Sequence, residues 1–273
     1  MLCWLDGRIL EARDARVSPL DAGWRLGDGV FSTLRAVDGV PQQLGRHVAR
    51  VMRDASALGI TGMARDRLAA ALRIVAEGNA ADHPDLVLRL VVTRGPVAPD
   101  APFGAVSSAP TVAVLATPAP PPSASATVIT VEGGRRPAAI KSTSWAWSAQ
   151  AIATARASNA DTALFVEGGD VLEAAAANVV VVHDGAAVTP TADGRLLPGT
   201  TRELLLAGGH VDEAAVTTAM LADADEVVLL SAVRGAVPVV AVDDRDVGDG
   251  NPGPVAARLR SVLRTAGVGP TER

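Results

Sequence analysis

The sequence predicts an α+β protein built from two domains, and three observations carry that expectation. Strand-like and helix-like hydrophobic patterns interleave in both halves of the chain. One run of proline and small residues, TPAPPPSASA at 117–126, suits neither a sheet nor a helix interior. With 273 residues, 48% of them hydrophobic, the chain can build a substantial core. The expected division is an N-terminal domain over 1–116, a linker over 117–126 and a second domain over 127–273.

Taken in order, residues 2–5 read as a short strand ending at the turn Asp6-Gly7. Strands at 29–37 and 40–44 flank Asp38-Gly39, and Asp-Gly between two apolar runs signals a hairpin. From 46 to 58 the apolar residues Val48, Val51, Met52, Ala55 and Leu58 recur at spacings of three and four, an amphipathic helix that stops at Gly59. A second helix is predicted at 65–77, with strands at 86–93 and 111–116. Beyond the linker come a strand at 128–131, a helix at 145–157, strands at 163–166 and 179–182, and a helix at 200–207. Strands at 226–230 and 237–242 and a closing helix at 254–265 complete the chain, and no internal repeat is visible.

A net charge of −5 offers no broad cationic field, which argues against a nucleic-acid or membrane partner and for a small-molecule substrate. The single cysteine, Cys3, permits no intramolecular disulfide, and the opening MLCWLDGRIL places an acid before any apolar run, unlike a signal peptide. No stretch approaches the roughly 18 apolar residues of a spanning helix. The expected location is cytoplasmic, and no metal site is assigned.

Of the 25 basic residues, only Lys141 is a lysine, and tyrosine is absent. Such a bias replaces lysine by arginine wherever a positive charge suffices, so the surviving lysine invites a chemical reason. A lysine amine can deprotonate and form an imine, whereas a guanidinium cannot. The flanking Pro137-Ala138-Ala139-Ile140 reads as an apolar, buried segment, where an unpaired ammonium is costly. Glu173, at a predicted strand end in Val171-Leu172-Glu173-Ala174, is either a solvated hairpin carboxylate or an anion for a bound cation. In Leu197-Pro198-Gly199-Thr200-Thr201-Arg202 a loop enters a helix, where free N–H groups and the helix dipole favour phosphate; the threonines are otherwise simple N-caps. Arg46 and Arg50 lie one turn apart on the first helix, as face charges or as a phosphate clamp.

The segments LGDGVFSTLRAVDG, RHVARV, IKSTSW, VLEAAAANVVVV, LLPGTTRELL and LSAVRGAVPVVAVDD resemble, in order and spacing, those of the fold-type IV (class IV) pyridoxal-phosphate enzymes. This family includes branched-chain and D-amino-acid aminotransferases and aminodeoxychorismate lyase. The resemblance implies the two-domain architecture of D-amino-acid aminotransferase-like enzymes, pyridoxal 5′-phosphate as cofactor, and a homodimer with active sites near the subunit interface. By this similarity Lys141 is the Schiff-base lysine and Glu173 pairs with the ring nitrogen. Arg50, Thr200, Thr201 and the backbone of Ser231-Ala232 bind the phosphate, and Leu197 packs on the ring. Phe31, Thr33 and Arg94 then face the substrate.

Within the family, Ala174-Ala175-Ala176-Ala177-Asn178 lacks the hydroxyls that aminotransferases commonly carry after the glutamate, and Thr33 also resembles the lyase. After Thr93-Arg94-Gly95 the chain lacks the further Arg and His of D-amino-acid enzymes. The expectation is therefore an aminodeoxychorismate lyase of folate-precursor biosynthesis, releasing pyruvate and 4-aminobenzoate. The alternative is an aminotransferase acting on branched-chain or D-amino acids or small amines. Trp145 stands where many relatives have a polar residue, leaving the contact to the cofactor's ring oxygen open. Trp145 and Trp147 can otherwise be core anchors of the predicted helix.

Overall fold

The computed structural model describes residues 1–102 and 109–270. Its contacts divide the chain into two compact units, Met1–Pro120 with Ile140–Trp145, and Pro121–Ala139 with Ala146–Arg273.

In the first unit, β1 (Leu2–Leu5), β2 (Arg8–Glu11), α1 (Ala22–Leu26), β3 (Gly29–Val37), β4 (Val40–Pro41), α2 (Leu44–Ala57), α3 (Arg65–Asn79), β5 (Asp85–Thr93) and β6 (Thr111–Pro118) follow in order. The described strands form a sheet of order β2-β1-β6-β5-β3-β4. Alternation sorts its faces: Leu86, Leu88, Leu90 and Val92 of β5 join Val30 and Leu34 of β3 and Val112 and Val114 of β6 in one core. Val48, Val51 and Ala55 of α2 and Leu68, Leu72 and Val75 of α3 cover that face. The strand expected over 40–44 stops at Pro41, and Leu44 already opens α2. Proline cannot donate a ladder hydrogen bond, which ends the pairing there. The short β2 and α1 carry too few periodic residues to stand out in the sequence.

The second unit contains β7 (Ala126–Glu132), α4 (Ala146–Ala157), β8 (Thr162–Glu167), β9 (Asp170–Ala174), β10 (Asn178–His183), β11 (Ala186–Pro190), α5 (Thr200–Ala207), β12 (Asp212–Ala214), α6 (Thr218–Ala222), β13 (Glu226–Ser231), β14 (Gly235–Val242), β15 (Arg245–Asp246) and α7 (Pro254–Thr265). The sheet order is β12-β11-β10-β13-β14-β7-β8-β9, with β15 beside β14. Both faces are covered, so the strands read as unbroken apolar runs. Along β10, Val179 and Val181 pack into one cluster with Val227 and Val239. Val180 packs into another with Leu205 of α5 and Leu259 and Leu263 of α7. Residues 119–125 lie in neither helix nor strand, between β6 and β7.

Glu226 opens β13, the strand that ends at Ser231, and its buried carboxylate accepts from the N–H groups of Val255 (2.8 Å) and Ala256 (2.9 Å). This caps the N-terminus of α7 across the sheet. Glu226→Ala strands both donors and should lower stability by about 1–3 kcal/mol. A urea midpoint equal to that of the unsubstituted protein would show the cap to be dispensable.

Candidate active site

Lys141 belongs to the first unit. Residues 141–143 run along the edge of β3 that β4 leaves free: Phe31 N–H donates to the Lys141 carbonyl (2.9 Å), Val30 bridges Ser142, and Thr143 N–H donates to Gly29 (2.9 Å). Asp54, one turn beyond Arg50 on α2, accepts from the Lys141 backbone N–H at 3.0 Å. The Lys141 ammonium Nζ stands 4.8 Å from the centroid of the Phe31 ring. The expected burial of the preceding residues is not found, since of Pro137, Ala138, Ala139 and Ile140 only Ala138 is buried. Backbone pairing, rather than an apolar flank, fixes the lysine.

Arg50 is 5% exposed, whereas Arg46 is exposed to solvent. Of the two alternatives for Arg50, the solvated face charge is excluded: the apolar stripe of α2 turns it inward with Val48 and Val51. Its Nη2 donates to Ser32 Oγ at 2.7 Å, and Ser32 Oγ lies 2.8 Å from His47 Nδ1. Burial first, then the positive charges of Arg50 and Lys141, hold His47 well below its ordinary pKa.

Other expected substrate residues are placed as follows. Phe31 is buried and Thr33 half-buried, two positions apart on β3. Arg94 is engaged by Asp28 (2.5 and 3.2 Å) and donates to the Leu58 carbonyl (2.8 Å). Sequence reading missed Arg89, which faces Thr33 across the β3–β5 ladder. Its guanidinium rests 4.0 Å from the Phe31 centroid, and partial desolvation lowers its pKa from the usual arginine value. Lys141 and Arg89 thus share one aromatic ring.

In the second unit, Glu173 is 5% exposed near the end of β9, which rules out the solvated hairpin carboxylate. Arg135 Nη2 lies 3.5 Å from Glu173 Oε1, and Asn178 Nδ2 lies 3.4 Å from Oε2. Arg135 also donates to the carbonyls of Pro137 (2.9 Å) and Ala138. Asn178 donates to the Leu197 carbonyl at 2.8 Å, tying the carboxylate strand to the loop before α5. Gly199 is the N-cap of α5, without a side-chain cap, and a Cβ there would meet Asn178 Oδ1 at 2.0 Å. Glycine is needed for that close approach. Thr200 and Thr201 are buried first-turn residues rather than caps. Leu197 is buried, while Ser231 and Ala232 are half-buried at the end of β13.

The alanine run is a tight turn, in which Ala174 N–H donates to the Ala177 carbonyl at 2.8 Å. Ala175 packs with Ala151, Ala155, Ala163 and Phe165. Its missing hydroxyl therefore reports packing. The buried stripe of α4 is Ser148, Ala151 and Ala155, and the helix begins at Ala146. Trp145 and Trp147, 37% and 45% exposed, are not core anchors.

The class IV amino-transferase family pattern matches residues 29–242. The chain belongs to this family of pyridoxal-phosphate enzymes. It is 28% identical to a D-alanine aminotransferase of Bacillus licheniformis, over 96% of this chain and 95% of the relative. It is 30% identical to a candidate branched-chain-amino-acid aminotransferase of Methanocaldococcus jannaschii, over 97% and 96%. A hypothetical aminotransferase from Mycobacterium tuberculosis, solved with pyridoxal phosphate, superposes with a TM-score of 0.87 at 25% identity, covering 98% of this chain and 99% of that one. The class IV aminotransferase fold expected from the sequence is present. Among the described residues no helix is long and apolar enough to cross a membrane.

His47 gives the site a pH signature. Its native pKa is depressed, so below the ordinary histidine value of about 6.5 the unfolded chain takes a proton that the native one refuses, and stability falls as pH falls. His47→Asn should lose less stability than the unsubstituted protein between about pH 7 and pH 5.5. Parallel melting curves for the two proteins across that window would show that His47 is not held neutral.

Proposed function

We propose that this chain is a pyridoxal-phosphate-dependent aminotransferase acting on small amino acids and their 2-oxo acids. The observation that carries the reading is the pair of groups at the Phe31 ring: an amine, Lys141, at 4.8 Å and a guanidinium, Arg89, at 4.0 Å. An amino acid presents an amine to exchange and a carboxylate to hold, and these two residues match them. The relatives, named mostly as D-alanine and branched-chain aminotransferases, support transfer over lyase chemistry. The alanine run, which favoured the lyase, has a packing explanation in Ala175.

The donor set suits the cofactor. A buried carboxylate with two N–H neighbours suits a pyridinium nitrogen, and the uncapped N-terminus of α5 with Thr200 and Thr201 suits a phosphate. When bound, pyridoxal phosphate supplies an aldehyde for amines and a ring that accepts an electron pair. Lys141 is assigned to hold that aldehyde and, as a neutral amine, to take the proton from the substrate α-carbon. Glu173 holds a proton at the ring nitrogen, and Arg135 and Asn178 orient its carboxylate. In the first unit Arg50 would serve the phosphate and Phe31, Thr33 and Arg89 the substrate; in the second, Thr200, Thr201 and the Ser231-Ala232 backbone would serve the phosphate and Leu197 the ring. A homodimer accords with the exposed apolar side chains of Val17, Leu20, Trp24 and Leu26, close together in the sequence, of which Trp24 is 79% exposed.

The test is a parallel assay of the holoenzyme. D- and L-alanine and branched-chain amino acids are each supplied with a 2-oxo acid, and aminodeoxychorismate is supplied alone. Amino transfer that requires the oxo acid is expected, with Arg89→Ala raising KM about tenfold or more through loss of a charge-assisted contact. Sustained release of pyruvate from aminodeoxychorismate without an oxo acid, and no amino transfer, would establish the lyase instead.

A further inference from the structure

His47 is a buried titratable side chain that the chemistry above leaves unused, and its surroundings define its hydrogen bonding. Ser32 is fully buried, with Arg50 Nη2 at 2.7 Å and His47 Nδ1 at 2.8 Å from its hydroxyl oxygen. Arginine only donates, so Ser32 Oγ accepts from Arg50. Ser32 then has one hydrogen to place, and among the described residues His47 Nδ1 is the acceptor offered to it. The opposite tautomer, with Nδ1–H donating, would leave the serine hydrogen unpaired inside the core, at a cost of about 1–3 kcal/mol. The order is therefore Arg50 to Ser32 to His47, with the histidine neutral and its proton on Nε2. Its depressed pKa agrees with that state.

We propose that Ser32 and His47 are positioning residues that hold the Arg50 guanidinium in the orientation that receives the cofactor phosphate. The inference rests on the reading of Arg50 as a phosphate ligand. Arginine has several rotatable bonds and loses considerable freedom when fixed. Here one Nη is tied to β3, the strand whose preceding residue, Phe31, donates its N–H to the Lys141 carbonyl at 2.9 Å. One turn further along α2, Asp54 accepts the Lys141 N–H at 3.0 Å. Two adjacent residues of β3 and one face of α2 thus place the amine and the phosphate-binding cation in a single frame. His47, Arg50 and Asp54 stand at i, i+3 and i+7, among the buried residues of α2.

The experiment measures the affinity of the apoproteins for pyridoxal phosphate and for pyridoxal, which lacks the phosphate, by absorbance titration. Ser32→Ala and His47→Phe are expected to weaken pyridoxal phosphate about tenfold or more while leaving pyridoxal within about twofold. His47→Asn, whose side chain offers an acceptor near the Nδ1 position, should recover most of the loss. Unchanged affinity for pyridoxal phosphate in Ser32→Ala and His47→Phe, alongside a phosphate-specific loss in Arg50→Ala, overturns the relay but keeps Arg50 as the phosphate ligand. Equal weakening of both ligands in Arg50→Ala removes that reading, and the relay falls with it. Circular dichroism melts of each apoprotein identify variants that do not fold; Ser32→Ala, which deletes one oxygen atom, decides the matter should His47→Phe be among them.

Discussion

The lysine-bearing unit depends on a short piece of backbone completing a free sheet edge. Residues 141–143 occupy the side of β3 that β4, only two residues long, does not cover. Buried backbone groups must be paired, so the edge of Gly29–Phe31 requires a partner there. Once Phe31 N–H and the Gly29 carbonyl are committed to Lys141 and Thr143, the register of the lysine is set to the residue. A shift of one position would turn its side chain to the other face. The ring of Phe31, the carboxylate of Asp54 and the guanidinium of Arg89 take their relation to the amine from this pairing.

Three buried ionic groups hold the proposed chemistry, and each is compensated locally. Arg50 is tied to Ser32, Asp54 accepts from Lys141 N–H and Arg53, and Glu173 lies between Arg135 and Asn178. An isolated ion in such surroundings would neutralise instead. His47 does so, first because it is buried and then because Arg50 and Lys141 beside it are cations; its Nδ1 faces the Ser32 hydroxyl. Arg135 has a second effect: by binding the carbonyls of Pro137 and Ala138 it fastens the backbone that leads toward Lys141.

Much of the fold was legible because its strands and helices carry clean periods. The elements β3, α5 and α7 have the bounds that their patterns predict. The sole lysine stood out by composition, and Glu173 and the LPGTTR loop were singled out by family resemblance; the structure adds that Glu173, Thr200 and Thr201 are buried. What escaped reading depends on contacts distant in sequence. Arg89 looks like an ordinary outward strand residue until β3 brings Phe31 beneath it. Asn178 becomes informative only when Leu197 and Gly199 approach it. His47, Arg50 and Asp54 did leave a signal, three polar residues on the buried stripe of an amphipathic helix, which a hydrophobic pattern alone passes over. The tryptophans misled because an aromatic beside a helix start usually packs inward, whereas α4 turns small residues to the core.

The central claim is that Lys141 carries the cofactor. Borohydride reduction of the holoenzyme followed by proteolysis and mass spectrometry tests it most directly. The account predicts a pyridoxyl label on the peptide containing Lys141 and its loss in Lys141→Arg, which keeps the charge but has no amine to attach. A label found instead on the amino-terminal peptide, or retained in Lys141→Arg, would contradict it.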